Sequence, residues 1–184
     1  MTSRLNGQAL TLVALISLAS CSSPQGTTEA PTSLPPLEAC SLFLVEDADP
    51  GDIFGLLPVR APVELTIGQD TAKCSYGTPE PPIMVVSLEI RRLKSTTEAH
   101  RQQRGSESML PQLAGAVVEV EEGVGDRAAW AGGRLDQLHV VAGEMRLIVT
   151  VEVGEESGRR DHAKRIALAA LERLQQPTPA AKPE

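Results

Sequence analysis

Between Glu144 and Val153 the chain alternates more cleanly than anywhere else. Met145, Leu147, Val149, Val151 and Val153 fall on one side of an extended backbone, and Arg146, Thr150 and Glu152 fall on the other. Successive strand side chains point to opposite faces, so this pattern predicts a strand with one buried and one polar face. Such a strand is stable only in a sheet whose apolar side is covered. The same period recurs from Ile83 to Leu93, where Met84, Val86, Leu88 and Ile90 alternate with Val85, Ser87, Glu89 and Arg91. Ala116, Val118 and Val120 alternate again before Glu121-Glu122, and Val63 to Ile67 and Lys73 to Tyr76 read as short strands. Arg134 to Val141 and Glu144 to Val153 flank Ala142-Gly143, the expected hairpin turn.

Helical signals lie around and between these strands. Cys40 to Gly55 reads as a short helix interrupted at Pro50-Gly51. Ser95-Thr96-Thr97-Glu98 has the spacing of a capping box, in which the serine hydroxyl and the glutamate carboxylate each satisfy an orphan amide. A helix is expected to start there and to be threatened by Gly105. In the last segment Ala163, Ile166, Ala167, Ala170, Leu171 and Leu174 recur at helical spacing, with Lys164, Arg165, Glu172 and Arg173 outside the apolar stripe. Strands that arrive in runs, each with one polar face, imply antiparallel pairing. The expected fold is therefore α+β, an antiparallel sheet of about six strands with flanking helices, the C-terminal one packed on the sheet.

The N-terminus carries an address. Arg4 is the sole charge ahead of an apolar run from Ala9 to Ala19, which is the order of a signal peptide, residues 1–20. The run is shorter than the roughly 20 apolar residues that a lasting membrane span needs. Leu18-Ala19-Ser20-Cys21 resembles the lipobox of bacterial lipoproteins. The resemblance implies that Cys21 receives a diacylglyceryl thioether and becomes the mature N-terminus. Two or more acyl chains hold stably on a bilayer, each buried methylene contributing about 0.8 kcal/mol. Residues 21–36 then comprise the lipidated Cys21 and a Ser/Thr/Pro-rich tether with Glu29 as its sole charge. A coil of this kind would lift the domain roughly 20 to 30 Å from the bilayer. Residues 37–176 are left as one domain, and 177–184 as a frayed tail. Ser22, rather than aspartate, after Cys21 would permit outer-membrane sorting in a Gram-negative host.

With Cys21 acylated, Cys40 and Cys74 form a pair in an oxidising compartment, and a structural disulfide is the expected outcome. The alternative, redox-active thiols or metal ligands, lacks a CxxC spacing and a neighbouring histidine. Composition excludes other classes. The net charge is −7, and −8 without Arg4, so no nucleic-acid partner is expected, because phosphate neutralisation needs a basic patch. Phe43, Phe54, Tyr76 and Trp130 are the only aromatics, too few for a stacking platform.

Catalytic motifs are lacking: there is no GxSxG, SxxK, P-loop or GxGxxG pattern, and Gly123-Val124-Gly125 has neither the third glycine nor the helix. His100, His139 and His162 share no ligand spacing and read as surface residues. The pairs Glu121-Glu122 and Glu155-Glu156 read as solvated charge at strand ends, and Arg159, Arg160, Lys164 and Arg165 as a solvated helix face. No metal site and no cofactor is expected. In Gly123-Val124-Gly125-Asp126-Arg127-Ala128-Ala129-Trp130 the glycines permit positive φ, and Asp126 would cap a one-turn helix that delivers Trp130 to the core. The alternative is a ligand-lining loop formed by Gly125, Asp126 and Trp130.

Taken in order, the lipobox, a Pro/Thr tether, Cys40-Ser41-Leu42, Cys74-Ser75-Tyr76-Gly77, the Gly123 to Trp130 turn, a hydrophobic hairpin and an Ala-rich closing helix are found together. This order resembles a broad group of uncharacterised lipoproteins of actinobacteria and other high-GC bacteria, itself similar to the extracytoplasmic sensor domains of mycobacterial kinases. The likeness implies an antiparallel sheet with surrounding helices and a Cys40–Cys74 disulfide, and it brings no catalytic residues. The sensor domains carry two cysteine pairs where this chain has one, so a shared ligand does not follow. The expected function is that of a non-enzymatic, membrane-anchored extracytoplasmic protein. Its partners would be the membrane, through the N-terminal lipid, and a small molecule or envelope protein bound in the sheet's cleft or on its polar face. The rivals are a purely structural envelope component and an enzyme whose dispersed site gathers His139, Asp136 or Glu152.

Overall fold

The computed structural model describes residues 35–48, 59–79, 83–152 and 156–176. The signal peptide, Cys21, most of the tether, the Pro50-Gly51 break, Val153, Glu155 and the tail lie outside them. Helix α1 (Ala39–Leu42) and a 3₁₀ turn (Val45–Ala48) lead into strands β1 (Val63–Thr66), β2 (Thr71–Thr78) and β3 (Ile83–Arg92). Helix α2 (Thr96–Ala114) follows, then strands β4 (Val117–Glu121), β5 (Arg127–Gly132), β6 (Gln137–Ala142) and β7 (Met145–Val151), and finally helix α3 (Glu156–Gln175). The strands make one antiparallel seven-stranded sheet in the order β1-β2-β3-β7-β6-β5-β4. Two meanders, β1 to β3 and β4 to β7, are thus joined along β3 and β7, and α2 carries the chain from the centre of the sheet to its far edge.

The fold is the expected α+β arrangement with the C-terminal helix on the sheet, and it has one strand more than expected. The additional strand is β5, Arg-Ala-Ala-Trp-Ala-Gly, where the sequence suggested a one-turn helix. Residues 128–132 are all buried, because α2 lies over one face of β5 and Ala128 and Trp130 on the other join the core that α3 shares. A strand covered on both sides shows no alternation, and its alanines lack the β-branched bulk that marks a strand.

One face of the sheet holds the main core. Val86, Leu88, Ile90, Leu147, Val149, Leu138, Val140 and Trp130 meet Ala163, Ile166, Ala167, Ala170 and Leu171 of α3, the stripe read from the sequence. Burying each large side chain of this stripe contributes about 1.5 to 3 kcal/mol. The N-terminal segment closes the rest of this face. Cys40 and Cys74 are bonded, with Cα atoms 4.9 Å apart, which ties α1 to β2. Phe43 packs edge-on against Tyr76 at 4.9 Å between centroids, and the Tyr76 hydroxyl donates to the Phe43 carbonyl at 3.1 Å. Arg173 of α3 donates to the Leu42 carbonyl and grips the Asp47 carboxylate with two nitrogens.

Local signals set the remaining boundaries. Ser95 Oγ accepts from the Glu98 amide at 3.2 Å, half of the expected capping box. The Glu98 carboxylate returns to the Lys94 amide at 3.3 Å, one residue before the cap. Gly105 does not end α2, which continues through Pro111 to Ala114 and stops at Gly115. The hairpin turn is Gly143-Glu144, one residue later than expected. Gly143 takes φ 57°, at the first turn position, where a two-residue II′ hairpin calls for glycine.

Candidate ligand-binding face

Sheet register places the polar residues. On the face opposite α3, three rows run across β2, β3, β7 and β6: Ser75, Ser87, Thr150, Gln137; then Lys73, Glu89, Ile148, His139; then Thr71, Arg91, Arg146, Val141. Alternation makes this unavoidable, because the residues between these are the core residues of the other face. Helix α2 lies over the β4 to β7 half of the face. Towards β2 and β3, Arg91 is exposed and Lys73, Ser75, Glu89 and Arg146 are half-buried.

Under α2 the polar residues form a connected network. His139 is only 4% exposed. Its Nε2 lies 3.1 Å from Gln137 Oε1 and its Nδ1 lies 3.2 Å from Arg146 Nη2. An arginine can only donate, so Nδ1 is the acceptor and Nε2 carries the proton given to Gln137. Burial, reinforced by the Arg146 charge, pushes the His139 pKa down to about 4 against the opposing pull of Glu107, so the ring is neutral at neutral pH. Arg146 Nη2 also donates to Ser106 Oγ of α2 at 2.7 Å. Gln103, fully buried on α2, donates to the His139 carbonyl at 3.3 Å and to Glu107 at 3.1 Å. Glu107 takes two bonds from Arg127, at 2.9 and 2.5 Å, and these hydrogen bonds hold its carboxyl below the usual range. Gln103 Oε1 and Arg146 Nε are buried without a partner among the described residues.

Several sequence readings change here. His139 and His162, read as surface residues, are 4% and 8% exposed. The sequence could not show this for His139, because it sits on the polar side of an alternating strand and only α2 covers it. The basic residues read as a solvated helix face are engaged. Arg159 bonds Asp136, Arg160 bonds Glu119 and Glu121, Lys164 bonds Glu121 at 2.7 Å, and Arg165 contacts His162. Glu121, read as solvated, has a side chain only 11% exposed, and the Lys164 and Arg160 hydrogen bonds lower its pKa. The reason is register: Glu119 and Glu121 of β4 point to the face on which α3 lies, opposite Trp130 and Ala128.

The singled-out turn has mainly a structural role. Gly125 has φ 61°, and a Cβ there would lie 2.5 Å from the Val141 carbonyl oxygen and 2.8 Å from Val140 Cγ1. The Asp126 amide donates to that carbonyl at 2.7 Å, and the Asp126 carboxylate accepts from the Gly143 amide at 2.6 Å. Asp126 therefore pins the β6–β7 hairpin and does not cap a helix. Trp130 is delivered to the core by β5 and is 4% exposed. Gly125 and Asp126 do line shallow grooves between the hairpin and α3, together with Ala142, Leu171 and Gln175; Trp130 does not. Gly125→Ala is expected to destabilise by about 2 kcal/mol or more, from positive φ and a backbone collision together. Urea unfolding checks this, and a loss below about 0.5 kcal/mol would mean that the turn relaxes freely.

The residues of the rival catalytic reading do not come together. His139 bonds Gln137 and Arg146, Asp136 bonds Arg159, and Glu152 is exposed beyond β7. Among the described residues no three His, Cys, Asp or Glu side chains converge on a metal position, and no helix is long and apolar enough to cross a membrane. No family model matches the chain, and no curated protein is similar to it.

Proposed function

We propose that this protein is a lipid-anchored, extracytoplasmic binding protein of the bacterial envelope, held by an acylated Cys21 and binding a small ligand or envelope protein on the polar face of its sheet. The observation that carries the binding reading is the asymmetry of the sheet. One face is sealed by α1 and α3, whereas the other presents Lys73, Ser75, Glu89, Arg91 and Arg146 beside the edge of α2. Polar groups on a rigid sheet, fixed by neighbours and accessible from one side, are what recognition of a polar ligand requires. The anchoring reading rests on Leu18-Ala19-Ser20-Cys21 at the end of an apolar run.

Two measurements test these parts separately. Cells expressing the full chain and fed labelled palmitate are expected to label the protein, and Cys21→Ala is expected to remove the label. Incorporation that persists in the variant would rule out Cys21 as the anchor. For binding, the mature chain is screened by thermal shift against lipids, peptidoglycan fragments and metabolites. At least one class is expected to raise the melting temperature, and Ser75→Trp, which crowds the face, is expected to abolish the rise. A hit that is indifferent to Ser75→Trp, or no hit in any class, would refute the face as the binding surface.

A further inference from the structure

We infer that the row formed by Thr71, Arg91 and Arg146 is an oxyanion-binding site, built for a ligand that bears a phosphate or carboxylate group; this deepens the reading of the polar face as the binding surface and rests on it. Arg91 and Arg146 are directly opposite each other on β3 and β7, and so share one face of the sheet. Like charges placed opposite across a ladder repel. Arg92, Arg127, Arg159, Arg160, Lys164 and Arg173 each have a carboxylate partner. Arg91 and Arg146 have none within ion-pair distance among the described residues, although the mature chain is acidic.

Their bonds go to neutral groups instead. Arg91 Nε donates to Thr71 Oγ1 at 3.2 Å, and Arg146 Nη2 donates to Ser106 Oγ and His139 Nδ1. These contacts aim both guanidinium groups without neutralising them. Arg146 Nε is buried and has no partner among the described residues. Burial and the neighbouring Arg91 charge both lower the Arg146 pKa, and Glu89 alone opposes them. Lys73 stands directly opposite Glu89, so the cluster remains net positive. A carboxylate or phosphate between two arginines accepts paired hydrogen bonds from their forks and removes the repulsion.

The test uses the full mature chain carrying Cys21→Ala, titrated with inorganic phosphate, with acetate, and with phosphatidylglycerol or phosphatidylcholine vesicles. Phosphate or acetate is expected to bind saturably, and Arg91→Gln, an exposed substitution that leaves the core intact, to weaken it at least about tenfold. Arg104→Gln, an equal charge change on the exposed side of α2, is expected to leave binding unchanged. Binding to phosphatidylglycerol vesicles alone, lost with Arg91→Gln, would support the site and identify a lipid headgroup as the source. Absence of saturable binding in every arm, or equal weakening by Arg104→Gln, would overturn the inference. A neutral ligand blocked by Ser75→Trp and indifferent to Arg91→Gln would overturn the oxyanion site and leave the binding face standing.

Discussion

Replacing Cys40 and Cys74 together by serine is expected to cost about 4 kcal/mol. The two cysteines are 34 residues apart, and cross-linking a loop of that length removes about this much loop-closure entropy from the unfolded chain in the entropic model. The native state adds a second reason. Without the bond, α1 is left with the burial of Ala39 and Phe43, the Phe43–Tyr76 contact, the bond from the Cys40 amide to Glu64, and the reach of Arg173 to Leu42 and Asp47. Segment 35–48 is therefore expected to loosen before the sheet does, with amide exchange in β1 and β2 rising next. For a domain of this size the melting temperature should fall by roughly 10 to 15 °C. Changing both residues avoids leaving a lone buried thiol. A measured loss below about 1 kcal/mol would mean that the linkage does not constrain the unfolded chain.

Acid is expected to destabilise the protein through His139 before Glu107 and Glu121 respond. The unfolded histidine titrates at 6.5 and the folded one at about 4, so between these values the unfolded state binds more protons and stability falls as pH falls. The loss should be about 2 kcal/mol between pH 7 and pH 5, and about 3 kcal/mol by pH 4. Protonation would turn Nδ1 from an acceptor into a donor facing Arg146, next to Arg127 and Gln103, with Glu107 as the nearby counter-charge. Glu107 and Glu121 act lower. Their pKa values are depressed in the folded state, so their contributions are present above the ordinary glutamate range and are lost only as pH falls below it. Urea unfolding at pH 7 and pH 5 separates the two regimes. In His139→Gln the difference should nearly vanish, since glutamine offers the Arg146 acceptor without titrating. An equally steep pH dependence in that variant would assign the loss elsewhere.

The legible parts of the fold were those whose environment differs between two sides. β7 and β3 alternate because one face meets α3 and the other is polar, and the α3 stripe is periodic for the same reason. β5 was missed because it is covered on both sides, and Asp126 was misread because its partner, the Gly143 amide, lies 17 residues away. The ion-paired surface of α3 was misread for a similar cause. A run of arginines and lysine looks solvated until the register of β4 brings Glu119 and Glu121 beneath it.

The candidate site shows the same division. Glu89, Arg91 and Arg146 are visible as the polar side of alternating strands and Lys73 and Ser75 only as part of a short strand, yet no spacing joins them, because β7 lies more than 50 residues beyond β3. Local order determined which residues are polar-facing, which segments are helix or strand, and which cysteines are available to pair. Only the tertiary structure decided that Arg91 stands opposite Arg146, that α2 buries His139, and that β5 is covered on both faces. Periodicity reports the environment of one element at a time, whereas register and covering layers arise from contacts between elements distant in sequence.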